Sequence, residues 1–252
     1  MTALRAGPDS GSEVLLQTHA LCGWYAAAQV LRDVDLQVRR GQVVALMGRN
    51  GAGKSTLLKA VMGLLPRRSG QIRFLGEDIS QAAPYVVARL GLGYVPEDRR
   101  IFADLTVREN LDVGRQPPRH WPDGSAVPQW TPQALFALFP NLATMPERLG
   151  GRMSGGEQQM LSVARTLMGN PFLVLLDEPS EGVAPVIVEQ MVGSILQLKR
   201  QGVGILLSEQ NLFFASQVAD YAYVLEKGQV RHHSTMAALL ADEATRQAYL
   251  GL

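Results

Sequence analysis

Gly48-Arg49-Asn50-Gly51-Ala52-Gly53-Lys54-Ser55-Thr56 is the stretch that decides how this chain folds. It has the form G-x-x-x-x-G-K-[ST], and its flanks matter as much as the pattern. Before it, Val43-Val44-Ala45-Leu46-Met47 is an apolar run that predicts a buried strand. After it, Leu57-Leu58-Lys59-Ala60-Val61-Met62 has the spacing of a helix. Strand, glycine-rich turn and helix N-terminus together make a phosphate cradle. Backbone N–H groups turn inward where no Cβ intrudes, and the helix dipole adds positive potential. Lys54 then reaches the β- and γ-phosphates as a point charge, and the Ser55 hydroxyl ligates Mg²⁺. Set against a chance glycine-rich turn with an incidental lysine, the flanks favour a nucleoside-triphosphate site.

Composition bounds the rest. The 252 residues suit one large α/β domain with an insertion, or two domains. With 46% hydrophobic and 19% charged residues, the chain can bury an ordinary core. A formal net charge of +1 supplies no global field for nucleic acid or anionic lipid, so no nucleic-acid partner is expected. The single cysteine, Cys22, rules out an intrachain disulfide and reads as a small packed hydrophobe. No apolar run approaches the roughly 18 residues that would span a bilayer. Residues 1–12 are polar, without a signal-peptide core, and read as a disordered lead-in. The expectation is a soluble cytoplasmic protein that reaches a membrane only by docking on something else.

Along the chain, Val14, Leu16 and Thr18 alternate, and Val34, Leu36 and Val38 alternate again after Asp33 and Asp35, which predicts half-buried antiparallel strands. Between them lies Trp24-Tyr25-Ala26-Ala27-Ala28, whose aromatics suit either a nucleobase or core packing. Gly63-Leu64-Leu65-Pro66 ends the helix after the phosphate loop, and Arg67 and Arg68 would answer its dipole. From about residue 97 to 151 the character changes, with Pro117, Pro118, Trp121, Pro122, Pro128 and Trp130 in a long surface loop and a short helix over 132–139. This region reads as a helical insertion whose exposed surface meets a partner. Strand and helix then alternate again, through a strand at 171–176, a helix marked by Val186 to Leu198 with Pro185 in its first turn and Gly202 past its end, and a strand at 203–207, which implies a parallel sheet. His232-His233 sit in a polar stretch that does not suggest a metal site.

Two further clusters carry chemistry. Leu173-Val174-Leu175-Leu176-Asp177-Glu178 ends an apolar strand with two acids, where α/β sheets place their ligands. Asp177 suits Mg²⁺, and Glu178 is placed to orient and deprotonate a water. Met153-Ser154-Gly155-Gly156-Glu157-Gln158-Gln159 precedes a helix. Ser154 with Glu157 is a capping box, yet a cap needs no glycine pair, and the bare N–H groups suit an oxyanion. This is half of a second phosphate contact, and another chain would have to complete it.

Residues 48–56, 153–159 and 173–180, in this order, resemble the Walker A, signature and Walker B motifs of ABC transporter ATPase subunits. The resemblance spans residues 13 to 252 and implies an α/β ABC-ATPase fold of the P-loop NTPase class. Its core would be a mixed or parallel sheet, with an N-terminal antiparallel β-subdomain and an inserted helical subdomain over about 97–165. It implies a head-to-tail dimer around two ATP molecules, each between Walker A of one subunit and Ser154, Gly155, Gly156 and Glu157 of the other. Gly48, Arg49, Asn50, Gly51, Ala52, Gly53, Lys54, Ser55 and Thr56 would hold ATP, and Tyr25 stands at the adenine-stacking position. Ser55, Asp177 and Glu97 would hold Mg²⁺, and Glu178, Lys54 and Gln210 would be catalytic.

Residues 94–111, 177–185 and Ser208-Glu209-Gln210-Asn211 resemble the branched-chain amino acid importer branch. Short-amide and urea importers share much of this pattern. The partners so implied are a second ATPase subunit, identical or paralogous, two permeases, and indirectly a periplasmic solute-binding protein, at the cytoplasmic face of the inner membrane. Three positions depart from the general pattern: Glu97 for glutamine, Gln210 for histidine, and Ala184 for aspartate. A soluble ABC ATPase of DNA repair or ribosomes is disfavoured by the single cassette, the missing heptad run and the near-neutral charge. A regulator without turnover is disfavoured by the Asp177-Glu178 pair.

Overall fold

A computed structural model describes residues 13–251; the lead-in proposed for residues 1–12 lies outside the described residues. Two strands open the chain, β1 (Val14–Tyr25) and β2 (Ala28–Arg39), paired antiparallel through a hairpin at Ala26 and Ala27. Then come β3 (Val43–Met47), α1 (Lys54–Val61), β4 (Arg67–Phe74), β5 (Glu77–Asp78), α2 (Pro84–Leu90) and β6 (Leu92–Val95). Residues 97–167 carry α3 (Val107–Val113), α4 (Pro132–Leu138), α5 (Pro140–Ala143) and α6 (Gly155–Leu167). The chain continues through β7 (Leu173–Asp177), α7 (Pro185–Arg200), β8 (Gly204–Glu209), α8 (Leu212–Val218), β9 (Tyr221–Glu226), β10 (Gln229–Thr235) and α9 (Met236–Ala241).

The strands form two sheets. One is antiparallel, in the order β2-β1-β4-β5. The other runs β10-β9-β3-β8-β7-β6, parallel except for the antiparallel β9–β10 edge. Every residue of β3, β7 and β8 is buried, as strands covered on both faces require. Period two then divides their side chains: Leu173, Leu175 and Leu206 join the core shared with the antiparallel sheet, while Val174, Leu176, Ile205 and Leu207 join the core under α6 and α7.

Two expectations change. Arg67 and Arg68 do not serve the end of α1; they open β4. Arg67 lies over the Trp24 ring at 4.9 Å, and Arg68 donates to the carbonyls of Ser80, Leu65 and Ala82. The proline- and tryptophan-rich loop is a surface feature only in part, because Trp121 and Trp130 are buried. Trp121 meets Phe172 edge-on at 5.0 Å and carries the Arg40 guanidinium at 4.1 Å. Asn170 fastens both ends of the loop: its side chain accepts from Trp130 N–H at 2.8 Å and donates to the carbonyls of Gln116 and Pro117 at 3.0 and 3.2 Å. Cys22, half-buried, exchanges hydrogen bonds with Asp33 rather than packing as a plain hydrophobe.

Candidate active site

Sheet order brings the chemistry together. With β8 between β3 and β7, and β6 beyond β7, the carboxyl ends of four parallel strands lie along one edge. The phosphate loop leaves β3, Glu97 follows β6, Asp177 and Glu178 follow β7, and Gln210 follows β8. This edge is where open α/β sheets bind ligands.

Lys54 is the first residue of α1 and is only 4% exposed. Its Nζ donates to the Gly48 carbonyl at 2.8 Å and pairs with Glu178 Oε1 at 3.0 Å. Ser55 Oγ donates to Asp177 Oδ1 at 2.8 Å, and the Tyr94 hydroxyl donates to Asp177 Oδ2 at 3.3 Å. Burial, then the charge and hydrogen bond of Asp177, holds Tyr94 far above the ordinary phenol range, so it remains a donor. Gly48 is tightly placed: a Cβ there would lie 2.5 Å from the Leu225 carbonyl oxygen.

Asp177 and Glu178 face different groups, as successive strand-end residues must. Glu178 has a φ of +47°, rare for a residue with a side chain. Its N–H donates to the Ser208 carbonyl at 3.0 Å, and Oε2 accepts from Gln210 N–H at 3.1 Å. The Lys54 ammonium and the Gln210 amide thus fix both oxygens of Glu178.

A cavity of about 380 Å³ opens over this edge, lined by Asn50, Gly51, Ala52, Gly53, Lys54, Ser55 and Thr56 with Val30, Glu97, Glu178 and Glu181. Lost hydration, then the Glu181, Asp177 and Glu178 carboxylates, pushes Glu97 above the usual carboxylate range, against the pull of Lys59. Arg49 is exposed and lies outside the cavity lining. Tyr25 is 44% exposed at the tip of the β1–β2 hairpin, outside the cavity lining. Its exposure settles against core packing.

Ser154, Gly155, Gly156 and Glu157 form no part of this lining within one chain. Ser154 caps α6 in a capping box: its N–H donates to Glu157 Oε2 at 2.7 Å and its Oγ accepts from Glu157 N–H at 3.4 Å. Both glycines have a packing reason as well, since a Cβ at Gly155 would meet the Arg99 guanidinium at 2.8 Å and one at Gly156 would meet Ile187 at 2.9 Å.

Sequence reasoning missed Tyr94, Glu181 and Glu209. Tyr94 stood in a strand, but only the β6–β7 pairing puts it beside Asp177. Chemically, the edge offers a buried ammonium and backbone N–H groups for phosphates. A serine hydroxyl and a carboxylate 2.8 Å apart suit a hard cation that keeps water and phosphate ligands.

A family model for the ABC transporter matches residues 31–181. The chain belongs to the ABC transporter ATP-binding family. This ABC subunit is 45% identical over 228 residues to the high-affinity branched-chain amino acid transport ATP-binding protein BraG of Pseudomonas aeruginosa, covering 90% of this chain and 96% of BraG. It is 36% identical over 239 residues to the probable branched-chain amino acid transport ATP-binding protein LivF of Archaeoglobus fulgidus, covering 94% and 99%. The lipopolysaccharide export system ATP-binding protein LptB of Escherichia coli is 35% identical over 229 residues, covering 90% and 93%. The ADP conformation of MJ1267, an ATP-binding cassette of an ABC transporter, superposes with a TM-score of 0.77 at 26% identity, covering 96% and 100%. The fold is therefore that of an ABC ATPase, and the protein is an ATP-binding subunit of a family that hydrolyses ATP.

Proposed function

We propose that this ABC subunit hydrolyses ATP to drive an importer of branched-chain amino acids. The observation that carries this is its 45% identity across 96% of BraG, against 35% for LptB. The alternative is the same role for another amino acid or a short amide or urea.

Lys54 and the N–H groups of residues 48–56 bind the β- and γ-phosphates, and Tyr25 stacks on adenine. Ser55, Asp177 and Glu97 would hold Mg²⁺, which would supply positive charge to the phosphate oxygens. Glu178 takes a proton from water as its oxygen attacks the γ-phosphorus and the bond to the departing ADP breaks. Gln210 stands where the family's histidine contacts the γ-phosphate, and unlike histidine it cannot carry charge. Support for Glu178 as the base comes from its fixed oxygens next to the phosphate loop. Ser154, Gly155, Gly156 and Glu157 complete the ATP site of a second ATPase subunit, identical or paralogous, in a head-to-tail dimer.

The dimer engages two permeases at the cytoplasmic face of the inner membrane, fed by a solute-binding protein. No helix of the described residues is long and apolar enough to cross a membrane. An apolar groove of about 510 Å³ between α2 and α3, with Leu64, Tyr85, Phe102 and Val113 exposed along it, suits a permease segment.

The test is gentle solubilisation of native membranes with this chain tagged. Two polytopic proteins and a second ATPase should co-purify, and the reconstituted assembly should take up branched-chain amino acids. Recovery without any membrane protein would refute the transporter role, and uptake of another solute would refute the substrate.

A further inference from the structure

Asp177 with Ser208 is the last residue pair of the β7–β8 ladder. The turn that aims Glu178 begins there. It contains a left-handed glutamate and closes with Glu181 N–H on the Glu178 carbonyl at 3.1 Å. Such a turn does not hold itself, because a φ near +47° is unfavourable for a residue with a Cβ. What holds it comes from the end of β8.

Glu209 is the last residue of β8 and is 1% exposed. Its Oε1 accepts from Ser180 N–H and its Oε2 from Asn211 N–H, both at 3.1 Å. Among the described residues no ion pair joins a cation to it. Burial, with the Glu178 charge nearby, pushes its carboxyl up to about 7 against hydrogen bonds from the Ser180 side chain and from the Asn211 and Ser180 N–H groups. A buried acid without a cation is a costly choice for packing alone. What a carboxylate supplies, and glutamine does not, is an acceptor at both ends of one planar group.

We propose that Glu209 is a positioning residue, a two-ended clamp that fixes the turn after β7 to the loop after β8 and so aims the Glu178 carboxylate. One end holds Ser180, two residues beyond Glu178. The other holds Asn211, next to the Gln210 amide that bonds Glu178 Oε2. Ser208, Glu209 and Gln210, in sequence, thus reach the Glu178 N–H, the Ser180 N–H and the Glu178 carboxylate. The clamp also ties the base to the loop through Ser180 and Glu181 that enters α7, so displacement of that loop displaces the base.

This rests on Glu178 as the general base, and the test separates the two. The full chain is compared with Glu209→Gln, Glu178→Gln and the double variant for ATP turnover and for the Kd of MgADP. Glu209→Gln should lower kcat about 10- to 100-fold, as a misplaced catalytic group does, with Kd within about twofold. In the Glu178→Gln background it should lower kcat no further, because a clamp has nothing left to aim. If Glu178→Gln turns over normally, the base assignment falls and the clamp with it. If Glu178→Gln is inactive while Glu209→Gln matches wild type, or if the two losses add, the clamp alone is refuted. A loss of MgADP affinity in step with kcat would make Glu209 merely structural. Should Glu209→Gln not fold, amide exchange on the wild-type chain decides. Ser180, Gln210 and Asn211 should exchange slowly and together, and fast exchange at Ser180 or Asn211 overturns the proposal.

Discussion

Replacing Glu178 with glutamine separates two roles of one side chain. In this structure it is the buried counter-charge of Lys54, 3.0 Å away, with the two groups 9% and 4% exposed. Breaking a buried pair by neutralising one partner costs about 3–5 kcal/mol in general. Here Lys54 keeps the Gly48 carbonyl at 2.8 Å, and the glutamine carbonyl can still face it. The expected loss for the nucleotide-free chain is therefore smaller, about 2–3 kcal/mol, because an ammonium that retains acceptors is not orphaned. For a chain of this size that lowers Tm by roughly 5–10 °C. Turnover should fall about 10²- to 10⁴-fold, the contribution of a positioned base. ATP should reverse the first effect and not the second, since its phosphates take the place of the lost carboxylate opposite Lys54. Thermal unfolding with and without MgATP, alongside phosphate release, reads both. A nucleotide-free Tm equal to wild type would refute the buried-pair estimate. A Tm gap that persists at saturating MgATP would refute the exchange of Glu178 for phosphate, and turnover within tenfold of wild type would refute the base.

Lys54→Ala should weaken ATP binding at least tenfold, since a charge-assisted hydrogen bond contributes about 1.5–3 kcal/mol; calorimetry showing wild-type affinity would count against the phosphate-loop assignment. Asn170→Ala should destabilise the fold by about 3 kcal/mol or more, measured by denaturant unfolding, because it orphans the Trp130 amide and two loop carbonyls and puts alanine at a φ of +48°. Glu209 gives a pH dependence with a definite sign. Its folded-state pKa of about 7 lies above the ordinary glutamate value near ~4.3, so the folded state binds the extra proton between them. The burden of its charge is absent below about pH 4, grows through that window and is complete above about 7. Stability of Glu209→Gln relative to wild type should therefore improve from pH 5 to pH 8; a difference flat with pH would refute the raised pKa.

The reach of the sequence differs from element to element. Val43-Val44-Ala45-Leu46-Met47 and the loop after it were legible because strand burial, glycine placement and helix onset are all local. The Ser154–Glu157 cap was legible for the same reason. Arg67 and Arg68 were misread as helix-end charges, since their partners, Trp24, Ser80 and Ala82, are fixed by strand pairing rather than by neighbours in sequence. Trp121 gave no local sign of burial; its cover is Phe172 and Arg40, on separate elements. The helix α2 has one buried residue, Val87, too little for a periodic signal.

By itself the sequence singled out the candidates for phosphate, metal and acid–base chemistry, because those demands fix residue type and local spacing. It did not determine which carboxylate oxygen meets which donor. Ser55 and Asp177 are 122 residues apart, and Glu178 and Gln210 are 32 apart. Periodicity reports that a strand is buried without naming its neighbour. The strand order β3-β8-β7-β6 supplies the neighbours. It sets the Lys54–Glu178 pair, puts the Tyr94 hydroxyl on Asp177, and brings Glu209 within reach of both loops that frame Glu178.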